Sequence, residues 1–313
     1  MSDQPCLCPV CDSERNSEIF RSANGYPIMR CAECNVAFTD ARTAPPPDQL
    51  YPHFDQTNDS AALEKVRGAL SVFLRQRGEV VRSAKTGGRL LDFGCGAGAF
   101  AKHMSHEGYD VVGLEPFSLG ETTSRPGLQL IRKPLEQAAP ELGQFDVITM
   151  WHVLEHLEHP AKTLQALSKH LGPKGVLIVS VPNFASWQST LFQGAWFHLD
   201  PPRHLIHFEP QTLKDTLSRA GFTVQSERRF LPEYGSSGWV QSTLNRVLPH
   251  TNFLYELVKD RGALKNMGVA SSALHLAGSM LAGVPLLALS VPLEAAASAL
   301  HGEAAVTLIA RGQ

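Results

Sequence analysis

The chain has almost no net charge: 28 lysines and arginines stand against 30 aspartates and glutamates, a formal −2. That balance supplies no broad positive field for holding a polyanion, so nucleic acid is not an expected partner. A secretory leader is not expected either. Met1 to Val10 is polar and carries proline and cysteine instead of a basic segment followed by an apolar run. The expected location is a reducing cytoplasm, with peripheral contact at the inner face of a membrane left open. The first 42 residues lack a basic-aromatic stripe suited to phosphate and base stacking. They hold six acids (Asp3, Asp12, Glu14, Glu18, Glu33, Asp40) and four arginines (Arg15, Arg21, Arg30, Arg42).

Cysteine is present in an organised form. Cys8-Pro-Val-Cys11 and Cys31-Ala-Glu-Cys34 make two C-x2-C pairs, a spacing suited to a structural zinc held by four thiolates. Cys6 stands at the wrong spacing for such a knuckle. Two disulfides are the alternative, disfavoured by the reducing compartment and the Cys-Pro-x-Cys form. Residues 1–43 therefore read as a zinc ribbon, more structural than nucleic-acid-binding, and 44–60, with Ala44-Pro45-Pro46-Pro47, as a stiff linker. Ala61 to Ala84 has apolar residues near helical spacing and predicts an amphipathic helix.

The most informative stretch is Leu90-Leu91-Asp92-Phe93-Gly94-Cys95-Gly96-Ala97-Gly98. An apolar run ends in an acid and breaks into alternating glycines, which predicts a strand that delivers main-chain N–H groups to a small ligand. A helix from about Ala99 to Glu107 follows and points its positive end at the same place. Gly94, Gly96 and Ala99 also fit a nicotinamide pattern. Asp92 argues for an amino-acid ligand, whose ammonium it could receive, although a helix-capping or surface acid is its plain alternative. A second strand, Tyr109 to Leu114, ends at Glu115, where an acid can accept hydrogen bonds from ribose hydroxyls.

These residues resemble the class I S-adenosylmethionine-dependent methyltransferases. L-D-F-G-C-G-A-G is similar to their first motif and G-L-E-P to their ribose-binding acid. Phe145 to His156 resembles their fourth strand and the helix after it, and Leu171-Gly172-Pro173-Lys174-Gly175 their turn before the strand Val176 to Val181. The likeness runs from about Arg89 to Phe230. It implies a Rossmann-like α/β fold: a seven-stranded, mostly parallel sheet with helices on both faces. It also implies S-adenosylmethionine as cofactor, bordered by Asp92, Gly94, Cys95, Gly96, Gly98, Glu115, Leu135, Glu136 and Trp151.

Two histidine-rich segments follow. His152-Val-Leu-Glu-His156 formally matches H-x-x-E-H, a zinc-protease pattern, but it starts where a parallel strand ends and no third ligand is evident. Quinone-pathway O-methyltransferases carry a similar E-x-x-E-H there, with a divalent ion in some; His152 departs from it. The second segment, Trp196 to Phe208, resembles the D-x-P-R-H-x-x-x-F of this subgroup. Trp196 and Phe197 are candidates to stack on an acceptor, and His198, Arg203 and His207 to line its site. The alternative is a knot in which Arg203 pairs with Asp200 and the aromatics fill core. Among the histidines, His152, His156 and His204 are the candidate bases for O-methylation of a small molecule.

The last anomaly separates an expected sixth strand, Phe222 to Phe230, from an expected last strand, Ala304 to Ala310. The methyltransferase core is thus expected in 61–232 and 303–313, with 233–302 an apolar helical insertion. Leu276 to Leu293 carries no charge and follows Lys259, Arg261 and Lys265. Pro285, Pro292 and the returning strand argue against a single membrane crossing. Peripheral membrane contact, a lid over the acceptor and a homodimer interface are the readings of this insertion. An RNA methyltransferase with a zinc ribbon and a non-catalytic zinc- and cofactor-binding scaffold are the alternatives for the whole chain.

Overall fold

A computed structural model of the protein describes residues 5–46, 50, 61–116, 122–229, 232–248, 250–253 and 269–313. Most of the expected linker, together with Lys259, Arg261, Lys265 and Phe230, lies outside them. The chain divides into two compact units.

The sheet unit comprises Ala44–Val181, Leu213–Arg228 and Thr307–Gln313. Its first helix is α1 (Ala61–Ala84), which leads into β4 (Arg89–Phe93). Then come α2 (Ala99–His106), β5 (Asp110–Leu114), β6 (Thr123–Arg125), β7 (Leu128–Ile131), α3 (Leu135–Leu142), β8 (Phe145–Trp151), α4 (Pro160–Ser168) and β9 (Leu171–Pro182). β11 (Phe222–Arg228) and β12 (Ala305–Gly312) complete a sheet ordered β11-β12-β9-β8-β4-β5-β7-β6. The β7-β5-β4-β8-β9 run is parallel, whereas β11–β12 and β6–β7 pair antiparallel. The sheet has eight strands rather than seven because β6 adds a short edge.

Apolar runs explain the parallel centre. Leu90, Leu91, Val147, Ile148 and Ile178 are fully buried, as strands covered on both faces require. Val81 of α1, Phe100 and Met104 of α2, Val111, Trp151 and Ile309 close one core around them. Leu171 to Gly175, expected as a turn ahead of β9, lies inside the strand. Phe145 pairs with Leu171 and Val147 with Val176, so the residues between them bulge away from β8.

The cysteine unit comprises Met1–Thr43, Pro182–Thr212 and Arg229–Val306. Its antiparallel sheet is ordered β1 (Asn16–Arg21), β2 (Pro27–Cys31), β3 (Ala37–Thr39) and β10 (Ile206–His207). The N-terminal strands therefore receive a partner from far along the chain. Ile28, Phe184, Phe192, Trp196, Leu199 and Trp239 form the core. α5 (Trp187–Phe192) precedes a helical hairpin of α7 (Pro232–Val247) and α8 (Val269–Ala299), while α6 (Pro210–Arg219) leads into β11. Gly235 faces Glu294 and Leu248 faces Gly278, so α7 and α8 run antiparallel. Among the described residues no helix is long and apolar enough to cross a membrane.

Candidate active site and cysteine centre

The carboxyl end of β4 is where the glycine turn leaves the sheet. Gly94 has φ 75° and Gly96 φ 54°, left-handed values that favour glycine. A Cβ on Gly94 would collide with the Val153 side chain, so that position demands glycine for space as well. A Cβ on Gly96 would meet nothing within 4 Å; its demand is conformational, and the space beside it is open. The Gly94 and Cys95 N–H groups donate to Leu114 O, tying the turn to β5. The Gly96 N–H donates to Glu115 Oε2 at 2.7 Å, and Arg132 donates to Gly96 O at 3.3 Å. The acid expected at the end of the second strand thus reaches the glycine turn.

Asp92 is 3% exposed and sits in register between Gly113 of β5 and Thr149 of β8. The Thr149 hydroxyl donates to its Oδ1 at 2.9 Å. Burial pushes the Asp92 pKa up to about 6, against the Thr149 hydrogen bond and the Arg77 charge, while the Glu115 charge adds to the rise. A buried acid held this far from its ordinary value at a strand end, with charged partners beside it, marks a candidate functional position. Burial likewise raises the Cys95 thiol, which stays protonated.

Trp151 closes β8 against Phe100, edge to face at 5.5 Å, and the Arg77 guanidinium lies 5.3 Å over its ring. The Trp151 Nε1–H is buried without a hydrogen-bond partner in the structure, a donor that a ligand can satisfy. Arg77 and Thr149 escaped the sequence reading. Arg77 is fifteen positions before Asp92, and only the packing of α1 reveals which way it faces. Leu135 is buried and Glu136 exposed in the first turn of α3. An open glycine turn, two buried carboxylates and an unsatisfied indole N–H fit a ligand with ribose hydroxyls and an ammonium group.

His152 follows β8 with φ 56°, uncommon for a residue with a side chain and a conformation that concentrates at functional sites. Its backbone N–H donates to Ser180 O, and its Nδ1 is 3.3 Å from Glu155 Oε1, which is buried. His156 is half-buried at the end of a short 3-10 turn, Leu154–His156.

The second histidine segment is built differently. His198 Nε2 donates to Tyr234 O at 2.9 Å, and burial lowers its pKa to about 4. Thr39 gives its hydroxyl hydrogen to His204 O, so it must accept from His207 Nε2–H at 2.9 Å. Burial and the nearby Arg30 charge lower the His207 pKa to about 3. His204 Nδ1 donates to His198 O at 2.8 Å, which leaves Nε2 as the unprotonated nitrogen of the neutral ring. Arg203 pairs with Asp200 at 2.7 Å, and Trp196 packs in the unit's core. Phe197 is half-buried, its backbone N–H donating to the Ser242 hydroxyl.

Cys8, Cys11, Cys31 and Cys34 bring four sulfurs within 4.8 Å of one another, with Cys8–Cys34 at 3.5 Å and Cys11–Cys31 at 3.6 Å. A tetrahedron of 2.3 Å zinc–sulfur bonds has edges of about 3.8 Å, so the thiols fit that ion. Both knuckles close alike. Asp12 and Asn35 follow the second cysteine of each pair at φ 58° and 59° and donate N–H to the carbonyls of Cys8 and Cys31. Asp and Asn tolerate this backbone, a signal the sequence carried beside the cysteines.

The chain is similar to the ubiquinone biosynthesis O-methyltransferase of Psychrobacter cryohalolentis, 34% identical over 127 residues, covering 37% of this chain and 48% of that protein. It is 28% identical over 167 residues to the same-named protein of Escherichia coli O9:H4, covering 50% of this chain and 62% of the relative. It therefore spans about half the length of these curated relatives. A crystal structure of a SAM dependent methyltransferase from Archaeoglobus fulgidus is similar at a TM-score of 0.45 and 18% identity, covering 79% of this chain and 96% of that one. A family model described as a methyltransferase domain matches residues 64–227. That span takes in more than half of the chain and every element that shapes the glycine turn, and the chain accordingly belongs to the class I S-adenosylmethionine-dependent methyltransferases.

Proposed function

We propose that this chain moves a methyl group from S-adenosylmethionine to an oxygen of a small-molecule acceptor. The observation that carries the reading is the junction of Gly96, Glu115 and Asp92 at the carboxyl ends of adjacent parallel strands, with His152 ending the next one. When bound, the cofactor supplies an electrophilic methyl on a sulfonium. The chain's residues have to bind, orient and deprotonate. Glu115 accepts hydrogen bonds from the ribose while holding the turn through Gly96, since one carboxylate accepts several at once. Asp92 and Arg77 meet the charged ends of the amino-acid moiety. Trp151 offers its indole N–H, and Leu135 and Glu136 border the adenine.

His152 is the leading base. Its Nδ1 faces a buried carboxylate, which orients the ring and favours the proton it would gain. His156 and His204 are the other candidates, and the tautomer set by His198 O makes Nε2 the basic nitrogen of His204. Phe197 and Arg203 contact the acceptor, while Trp196, His198 and His207 brace that segment. The relatives' name supports oxygen as the accepting atom. Zinc on the four cysteines is structural, holding two knuckles that a small antiparallel sheet alone would leave weak.

The test is calorimetry followed by turnover. S-adenosylmethionine should bind the purified chain in preference to nicotinamide dinucleotides, and labelled cofactor with a cell extract should give one small labelled product. Preference for a nicotinamide cofactor, or cofactor binding with no labelled product, would reject the proposal; the second result would leave a scaffold.

A further inference from the structure

α8 is built inside out. From Asn266 to Leu293 the sequence has no lysine, arginine, aspartate or glutamate. Among the described residues, the helix hides its polar side chains from 275 to 294. His275, Ser279, Ser290 and Glu294 are at most 4% exposed. Glu294 accepts hydrogen bonds from Gln188, Trp239 and the Ala304 N–H, and His275 Nε2 accepts the His250 N–H. Among the described large apolar residues of the helix, Leu286 is half-buried and five face out: Leu281 is 84% exposed, Leu289 58%, Leu287 54%, Val291 53% and Leu293 43%. A helix that meets water on its outer side shows the reverse order.

The width of the exposed arc decides what covers it. At 3.6 residues per turn, the exposed positions from 281 to 296 wrap about two-thirds of the circumference, and the buried ones fall within about a third. A second copy of the chain covers one stripe of a helix, whereas acyl chains surround whatever the protein leaves outward. The flanks carry the matching charge. Arg246 lies in the last turn of α7, and the sequence that joins α7 to α8 holds Lys259, Arg261 and Lys265 against Glu256 and Asp260, an excess that suits anionic headgroups. At the far end, Trp187 donates its backbone N–H to Gly302 O and is 38% exposed, with Leu191 one turn on at 61%. Tryptophan favours the boundary between headgroups and hydrocarbon.

We infer that the outer arc of α8, together with Trp187 and Leu191, seats on the surface of a bilayer rich in anionic lipid. The seat is independent of the methyl transfer proposed above. A buried polar ledge holds the hairpin to its own unit, and the leucines enter the headgroup boundary from outside.

Flotation of the full chain tests it, using vesicles of phosphatidylglycerol with phosphatidylcholine and vesicles of phosphatidylcholine alone. The anionic vesicles should carry about tenfold more protein. Leu281→Ser with Leu289→Ser should lower that fraction about tenfold at an unchanged circular dichroism spectrum, because both side chains are exposed. Trp151, Trp196 and Trp239 are buried, so a blue shift of tryptophan emission on adding anionic vesicles would report Trp187 and support the seat. Protein that stays unfloated with both vesicles overturns the inference, as does a double variant that floats like the parent. A dimer that the double variant converts to monomer, without flotation, overturns it in favour of a second copy.

Discussion

His152 and His207 both lie at a strand, yet the fold treats them oppositely. His152 ends a parallel strand with left-handed backbone, half-buried, its ring beside a carboxylate. His207 lies inside the cysteine unit, stacked on Phe184 at 5.4 Å, its ring proton taken by Thr39. His198 follows the same pattern, with Tyr234 O as acceptor. A histidine count near a motif therefore overstates the bases on offer. In the sheet unit the strand ends gather buried polar groups, Asp92, Glu115 and Thr149, beside the glycine turn, and in the cysteine unit the imidazoles act as hydrogen-bonding core.

The comparison breaks most violently at the cysteines. If the buried histidines belong to a scaffold organised by zinc, Cys31→Ser with Cys34→Ser should abolish bound zinc in elemental analysis and unfold the cysteine unit first, since structural zinc contributes on the order of 10 kcal/mol. A variant that retains zinc, or melts like the parent, removes the metal from the account.

Turnover separates the two kinds of histidine next. His152→Ala should lower turnover about a hundredfold, about 2.7 kcal/mol, with cofactor affinity intact, whereas His207→Ala should cost stability and leave turnover within about threefold below its melting temperature. A loss that follows His204→Ala or His156→Ala instead reassigns the base.

Titration sharpens the contrast through its sign. Asp92 has a folded pKa near 6, above its ordinary 3.8. The folded state holds that proton more tightly, so the contribution is full below pH 3.8 and is lost as pH rises through 6. Asp92→Asn should therefore stabilise the chain at pH 7.5 by on the order of 2 kcal/mol in urea unfolding while weakening cofactor binding. His198 and His207 run the other way. Their folded pKa values, about 4 and 3, lie below the ordinary 6.5, so their contribution is full above 6.5 and is lost as pH falls toward those values. Hydrogen exchange around Trp196 should accelerate in acid before that of β4; simultaneous opening would erase the distinction. The smallest effect is Glu115→Ala, which should weaken S-adenosylmethionine about tenfold, about 1.4 kcal/mol, by calorimetry.

The glycine turn was legible because its chemistry is local: Gly94 and Gly96 follow an apolar run and adopt backbone angles that few other residues accept. The cysteine cluster was legible because each knuckle closes within a few residues, as the Asp12 and Asn35 bonds show. Arg77 was not, because a helix presents one side of itself and its partners choose which. Trp196, His198 and His207 were legible as a cluster, but the choice between acceptor wall and core stayed open, since aromatic and imidazole side chains suit a pocket wall and a packed interior equally well.

What the sequence by itself determined is whatever depends on short-range sterics and on the period of its apolar residues: the parallel strands, the turn at Gly94 to Gly98, the thiol knuckles and the uncharged length of α8. Tertiary structure alone decided which side of each element is hidden. It set the eighth strand at the sheet edge, drew β10 into the N-terminal sheet, placed Thr149 and the Arg77 charge about Asp92, and turned Leu281, Leu287, Leu289 and Leu293 of α8 outward while burying Glu294. Burial is a property of neighbours far along the chain, and the free energy that selects it is summed over contacts no local pattern contains.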